Sequence, residues 1–287
     1  MAALWKGKKA WKARSTPGYG DLGNPVLLRA LGVGYIGFII ALPIVALSIR
    51  AFGDGLGTLW ANVVRPDALY SLELTLAMAF AMVIVNVAMG TLMAWVLVRY
   101  KFPGRSLVNA LIDLPFAIPT VVTGLMLVIL YGPQSAVGRF MSAGGVEVIY
   151  AKPGIVLALL FVTLPFVVRS VQPVLMGLDK EMEEAAATLG ANRWVIFRKV
   201  IVPSILPAVL TGAALSFSRA IGEFGSVVIV AGNIPMRTQV AAVFIYGEVE
   251  SDNPQGALGV SIVLLALSFL VLIALYFLQR VGRSQDA

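Results

Sequence analysis

The sequence has no cysteine and no histidine in its 287 residues. Without cysteine there is no disulfide framework, thiolate metal site or redox pair. Without histidine the commonest metal ligand and the usual general base near neutral pH are missing. Charge is also scarce, at 13% of residues. The few carboxylates do not cluster as a membrane enzyme's acid–base or metal set would. No Gly-x-x-x-x-Gly-Lys-Ser/Thr run occurs, so no nucleotide-binding loop is expected. Gly18, Gly20 and Gly23 neither follow a strand nor open a helix, and they read as a linker. The chain offers no catalytic residue, no metal ligand and no cofactor site of its own to nominate.

Hydrocarbon is what the chain has in abundance. Apolar residues make up 59% and the mean hydropathy is +0.89. Soluble domains run near 45–50% apolar, so a membrane solvent is the first expectation. A spanning helix takes roughly 20 apolar residues. Six stretches qualify or nearly do: 30–49, 74–98, 107–131, 154–168, 204–230 and 256–278. The fourth is the shortest and is expected to extend into 170–173 or into the preceding loop. The third carries Asp113, Pro115 and Pro119, which predict a broken start, because proline removes a backbone donor and kinks a helix. Pro165 and Pro207 raise the same possibility in the fourth and fifth. The fold class expected is therefore all-α, a polytopic membrane protein of six transmembrane helices.

The distribution of positive charge sets an orientation. Most of the 22 basic residues fall in the N-terminal tail (Lys6, Lys8, Lys9, Lys12, Arg14), beside Arg29, and in the loops after spans two and four. The C-terminus adds Arg280 and Arg283. The alternate loops are acid-rich, with Asp54, Asp67, Glu73, Glu147, Glu248, Glu250 and Asp252. The positive-inside rule then places both termini in the cytoplasm. Basic residues beside apolar spans, instead of on one basic face, argue against nucleic acid as a partner. The 1–25 region reads as a basic tail that fixes topology, not as a cleaved signal. Residues 26–280 form the membrane domain, and 281–287 a second cytoplasmic tail.

The 179–203 loop is the most patterned polar stretch. Asp179 is a plausible N-cap, and Glu181, Glu183 and Glu184 crowd the first turns, where the helix dipole favours anions. Met182, Ala185, Ala186 and Leu189 fall on one face. Gly190 suits a left-handed helix end. Trp194, Phe197 and Ile201 begin a second apolar face among Arg193, Arg198 and Lys199, and Pro203 opens span five. Taken alone, such a loop could simply lie on the bilayer.

Arg219 and Glu223 are the ionisable residues deepest in a span, where charge is costly and usually faces a bundle interior or a wet cavity. On one continuous helix, Ser216, Arg219, Glu223 and Ser226 form one stripe. Gly222 and Gly225 would let another backbone come close. Two readings stand side by side. The stripe lines a translocation path on which Arg219 meets an anion, with Glu223 holding or gating it; or the pair is a buried lock between helices.

The loop also resembles the EAA loop of importer-type ABC permeases: Glu184-Ala185-Ala186, three residues, Gly190, nine residues, then Val200-Ile-Val-Pro203. Further stretches are similar to the bacterial sulfate/thiosulfate permeases, of T-subunit type. They are 99–105 (Arg-Tyr-Lys-Phe-Pro-Gly-Arg), 113–120 (Asp-Leu-Pro-Phe-Ala-Ile-Pro-Thr), 165–173 (Pro-Phe-Val-Val-Arg-Ser-Val-Gln-Pro) and 218–225 (Ser-Arg-Ala-Ile-Gly-Glu-Phe-Gly). The resemblance covers most of 70–280. It implies a type I ABC importer permease fold with a cytoplasmic coupling helix, in a bacterial cytoplasmic membrane. Glu184, Ala185, Ala186, Leu189, Gly190 and Arg193 would couple to a cytoplasmic ATPase dimer, which would bind the ATP and Mg²⁺. A second permease subunit (W-type or a second copy), a periplasmic or lipid-anchored sulfate/thiosulfate-binding protein and membrane lipid would complete the partners. Molybdate and tungstate permeases share Arg-x-x-Gly-Glu-Phe-Gly and a Gly-Asn-Ile-Pro segment, here 232–235, and are the alternative within the class. An ion-gradient-driven secondary anion transporter is the alternative outside it, but that reading expects paired broken halves and several intramembrane carboxylates.

Overall fold

A computed structural model describes residues 25–283. Of the expected tails, residues 1–24 and 284–287 lie outside the described residues, and 281–283 continue the last helix. The chain divides into two units, 1–49 and 50–287.

In the first unit, α1 (Pro25–Ile36) runs through a π turn at Gly37–Ala41 into α2 (Leu42–Gly53), whose last residues, from Arg50, fall in the second unit. The π bond is donated by Leu42 N–H to the Gly37 carbonyl, and the next residue is Pro43. A proline ring clashes with the carbonyl four residues back, and widening the preceding turn relieves that clash.

The second unit begins with α3 (Leu56–Val63) and the 34-residue α4 (Pro66–Arg99). Then come α5 (Arg105–Ala117), α6 (Thr120–Tyr131), α7 (Ala136–Ala143) and α8 (Lys152–Gly177). A hairpin of α9 (Lys180–Thr188) and α10 (Arg193–Ile196) passes through a π turn, Phe197–Ile201, into α11 (Val202–Ile221). Last are α12 (Gly225–Ala231), α13 (Ala241–Glu250) and α14 (Pro254–Arg283). The described residues contain no β-strand.

Five helical stretches are long and apolar enough to span a membrane: Val26–Gly53, Pro66–Arg99, Lys152–Gly177, Arg193–Ile221 and Pro254–Ala274. The pair α5–α6, bent by 114°, makes a sixth if it counts as one span. The fourth expected span does extend past 173, reaching Gly177. The third departs from expectation in degree. Ile118 is extended (φ −85°, ψ 128°) in front of Pro119, and the chain turns there sharply instead of kinking. The residue before a proline is pushed out of the helical region, whereas Pro115 sits inside α5 without ending it. The fifth departs more. The expected helix over 204–230 is two helices, α11 and α12, separated at 222–224.

The centre of this unit is α4, α8 and α11. A Cβ added to Gly90 would stand 2.8 Å from Val167 Cβ, and one added to Gly212 would stand 2.8 Å from Val167 Cα. Glycines from α4 and α11 thus flank one residue of α8 and let the backbones approach. Lipid tails are as apolar as leucine, so such close van der Waals packing, not exclusion from water, holds membrane helices together. Ala94, Leu97, Val167, Val171, Ile201 and Ile205 form the core toward the hairpin end. Leu74, Ile155, Leu159, Ile221, Val227 and Val230 form it toward the other end.

Ion pairs tie each end. At the hairpin end Arg169 of α8 donates to both carboxylate oxygens of Asp113 (2.7 and 2.6 Å), to the Asn109 side chain and carbonyl (3.2 and 2.9 Å) and to Gln172 (2.6 Å). At the opposite end Arg65 pairs with Asp67 (2.6 Å) and Glu248 (3.0 Å), joining the start of α4 to α13. Hydrogen bonds to Asp67 first, and then to Glu248, raise the Arg65 pKa above its ordinary value.

Candidate functional site

Two sets of sequence-nominated residues can be built up from the backbone. The first is the hairpin. Asp179 Oδ1 accepts from Glu181 N–H at 2.9 Å and caps α9. At the far end, Gly190 N–H donates to the Ala187 carbonyl and Ala191 N–H to the Ala186 carbonyl, both at 3.0 Å. This is a Schellman closure, and it needs a left-handed residue at Gly190, whose φ is +84°. Asn192 Oδ1 then accepts from Val195 N–H at 2.9 Å and caps α10, a start signal that the sequence carried and the reading above passed over. From Arg193 the backbone stays helical to Ile221, so the second arm of the hairpin and the span form one rod. The π turn inside it ends at Val202, directly before Pro203, as its counterpart does before Pro43.

The nominated hairpin residues lie together on the outside of the fold. Glu184, Ala185, Gly190 and Arg193 are exposed and Ala186 is half-buried. Leu189 is 87% exposed, with Trp194 and Met182 also open. Charge rims this apolar tip.

The second set surrounds Arg219 and Glu223. Arg219 lies in the last turn of α11, but Glu223 lies in the break and Ser226 on α12. The expected single-helix stripe is therefore not the geometry, although three of its four members do meet. Glu223 Oε2 stands 2.6 Å from Arg219 Nη1. Glu223 Oε1 accepts from Ser226 N–H (3.0 Å) and Oγ–H (2.9 Å). Both carboxylate oxygens are thus engaged, and the Glu223 side chain is 1% exposed against 36% for Arg219. The Glu223 carboxylate caps α12 and fixes one nitrogen of the guanidinium. The rest of the arginine fork is left open.

Ser216 does not join this group. It is fully buried and donates to the Thr163 carbonyl of α8 at 3.3 Å. Gly222 faces open space, so of the two expected close approaches only Gly225 makes one. A Cβ there would sit 2.2 Å from Thr120 Oγ1 on α6. The small cavity beside Glu223 is lined by Thr75 and Met78 of α4, Ile155 and Leu159 of α8, and Ala220 and Val227. At ~10 Å³ it holds about one water. A tetrahedral oxyanion does not fit there. Among the described residues no cluster of three or more carboxylates suits a metal ion.

An apolar helical bundle with a rimmed docking tip continuous with one span, and an ion pair with a buried carboxylate at a helix break, has the build of a transport permease. Residues 86–284 match the family of binding-protein-dependent transport system inner membrane components, and the chain belongs to that family. It is 42% identical over 250 residues to the sulfate transport system permease protein CysT of Escherichia coli (strain K12), covering 87% of this chain and 90% of that protein. It is 44% identical over 251 residues to the probable sulfate transport system permease protein cysT of Mesostigma viride, covering 88% and 93%. The fold is shared with a bacterial alginate ABC transporter (TM-score 0.72, 17% identity, 90% of this chain and 94% of that one). It is shared also with the MetNI methionine ABC transporter (TM-score 0.54, 19% identity, 75% and 94%).

Proposed function

We propose that this permease carries sulfate or thiosulfate across a bacterial cytoplasmic membrane, driven by a separate ATPase docked on the 179–203 hairpin. The observation that carries the reading is the continuity of the Arg193–Ile221 rod. An element that an ATPase grips through Leu189, Trp194 and the charges around them is also the start of a span, so a push at the hairpin moves the wall of the bundle. ATP and Mg²⁺ belong to the partner. A second permease subunit, W-type or a copy of this chain, and an anion-binding protein complete the assembly. The hairpin faces the cytoplasm, as do both termini.

Arg219 is the anion-facing residue of this mechanism and Glu223 its positioning residue. With both oxygens engaged, Glu223 cannot swing away to a second partner without losing bonds to Ser226. A net-neutral pair gives an anion donors without forming a deep trap. That suits a path from which the anion must leave, with affinity supplied by the binding protein. Substrate preference follows the relatives, which are named for sulfate transport.

The test is uptake of labelled sulfate into cells or proteoliposomes that hold this chain with its ATPase, second permease and binding protein. Unlabelled thiosulfate should compete. Competition by molybdate at equal concentration, with thiosulfate inert, would assign the chain to molybdate instead. Uptake without ATPase would overturn the ABC reading altogether.

A further inference from the structure

The hairpin is held by a third helix that the chain does not connect to it. The chain enters the hairpin after α8, at Asp179, and leaves it through α10 and the π turn into α11 at Val202. Helix α4 ends at Arg99, far away in sequence, and yet Arg99 Nη2 donates to Glu183 Oε1 of α9. The pair is shielded, with side chains 19% and 22% exposed. The Arg99 guanidinium lies over the Trp95 ring at 5.1 Å. Trp95 meets Phe197 edge-on at 5.5 Å, and Phe197 stacks on Trp194 at 5.7 Å. One end of α4 thus grips both arms of the hairpin, the first by charge and the second by aromatic contact.

The other half of α4 reaches the buried side of Glu223, the partner of Arg219. Thr75 and Met78 line the cavity beside Glu223, as Ala220 of α11 does. Between these points α4 is unbroken. Its face toward α8 is small where the backbones cross, at Gly90 and Ala94. Asn86 of α4 also donates to Thr163 Oγ1 of α8 (2.9 Å) within this buried crossing, and beyond it the Arg99–Glu183 pair links the end of α4 directly to the first arm of the hairpin.

We propose that Glu183 and Arg99 form a coupling strut: movement of the hairpin reaches the residues around Glu223 by two routes, through the α11 backbone and through this ion pair and α4. Glu183 is then a positioning residue of the transport cycle and not part of the ATPase contact. The inference rests on the reading that an ATPase docks on the hairpin.

The full complex is reconstituted in proteoliposomes with Arg99→Gln, with Glu183→Gln, and with the exchanged pair Arg99→Glu/Glu183→Arg. Three quantities are read: ATPase co-purified with the permease, ATP hydrolysed, and labelled sulfate imported per ATP. The single variants should keep the ATPase bound and lower sulfate per ATP by about fivefold or more, the low end of typical coupling between sites. The exchanged pair should recover most of the ratio. An unchanged ratio in both single variants overturns the strut. So does loss of bound ATPase in Glu183→Gln alone, which would put Glu183 in the ATPase contact, and so does an exchanged pair no better than the singles. Where a single variant does not accumulate in the membrane, the exchanged pair decides. A wild-type chain that binds no ATPase would instead overturn the docking reading, and the strut with it.

Discussion

At the scale of single residues, chemistry and backbone geometry make separable demands. Arg219 has one fixed partner and a partly open fork, so Arg219→Ala should cut anion uptake about tenfold or more, consistent with ~1.5–3 kcal/mol for a hydrogen bond to a charged group. Assembly with the ATPase and second permease should stay intact. Loss of assembly in that variant, seen on size-exclusion chromatography, would identify the pair as a structural lock. Gly190 makes a different demand. Nothing lies within 4 Å of a Cβ added there, so space is not the constraint; φ of +84° is. A left-handed conformation costs an ordinary residue ~1–2 kcal/mol, and asparagine tolerates it best. Gly190→Asn should therefore retain most ATPase binding in a pull-down, whereas Gly190→Val should lose most of it. Equal loss in both would mean that the ATPase touches this position directly.

At the scale of elements, Arg169 decides how α5 is held. A guanidinium carries five N–H donors in a fixed fork, and all five directions are met by Asp113, Asn109 and Gln172. A lysine supplies one charge and three donors from a single point. Arg169→Lys should therefore fall close to Arg169→Ala, each losing about 1 kcal/mol by thermal unfolding in detergent, a modest figure because the group is partly exposed. A fully stable Arg169→Lys would show that charge alone holds α5. This hub was hard to read in advance. Asp113 stood out as a charge in an apolar run, but its partner lies 56 residues away and only the fold brings them together. What sequence did disclose here was local: the Asp179 cap, the glycine stop at 190, the apolar spans and the extension of the fourth. Each rests on neighbours within a turn or two. The break at 222–224 was hidden for the complementary reason. Gly222 costs a helix only about 1 kcal/mol relative to alanine, so 204–230 reads as one helix. The chain breaks there because Glu223 caps the following helix and Gly225 must pass Thr120. Both are tertiary facts.

At the scale of the whole molecule, the second unit has two chemically distinct ends. One gathers Arg99, Arg169 and the hairpin; the other gathers Arg65, Glu248 and the 232–238 loop, where Tyr70 donates to the Arg237 carbonyl at 3.1 Å. The positive-inside rule predicts that the first end is cytoplasmic, and the ATPase reading requires the same. The absence of cysteine makes this directly testable, because any introduced thiol is the only one in the chain. Leu189 is 87% exposed at the first end and Met236 is 53% exposed at the second. In sealed right-side-out vesicles, a membrane-impermeant maleimide should modify Met236→Cys and leave Leu189→Cys untouched until the membrane is permeabilised. Inverted vesicles should reverse the pattern. Saturating ATPase should then slow modification of Leu189→Cys by about tenfold, as expected for a side chain at the water-excluded centre of an interface, while Met236→Cys reacts as before. Protection of both positions would point to a general closing of the bundle. Modification of Leu189→Cys from outside sealed right-side-out vesicles would place the hairpin on the wrong face for any cytoplasmic motor, and the force path through α11 and α4 would have no source.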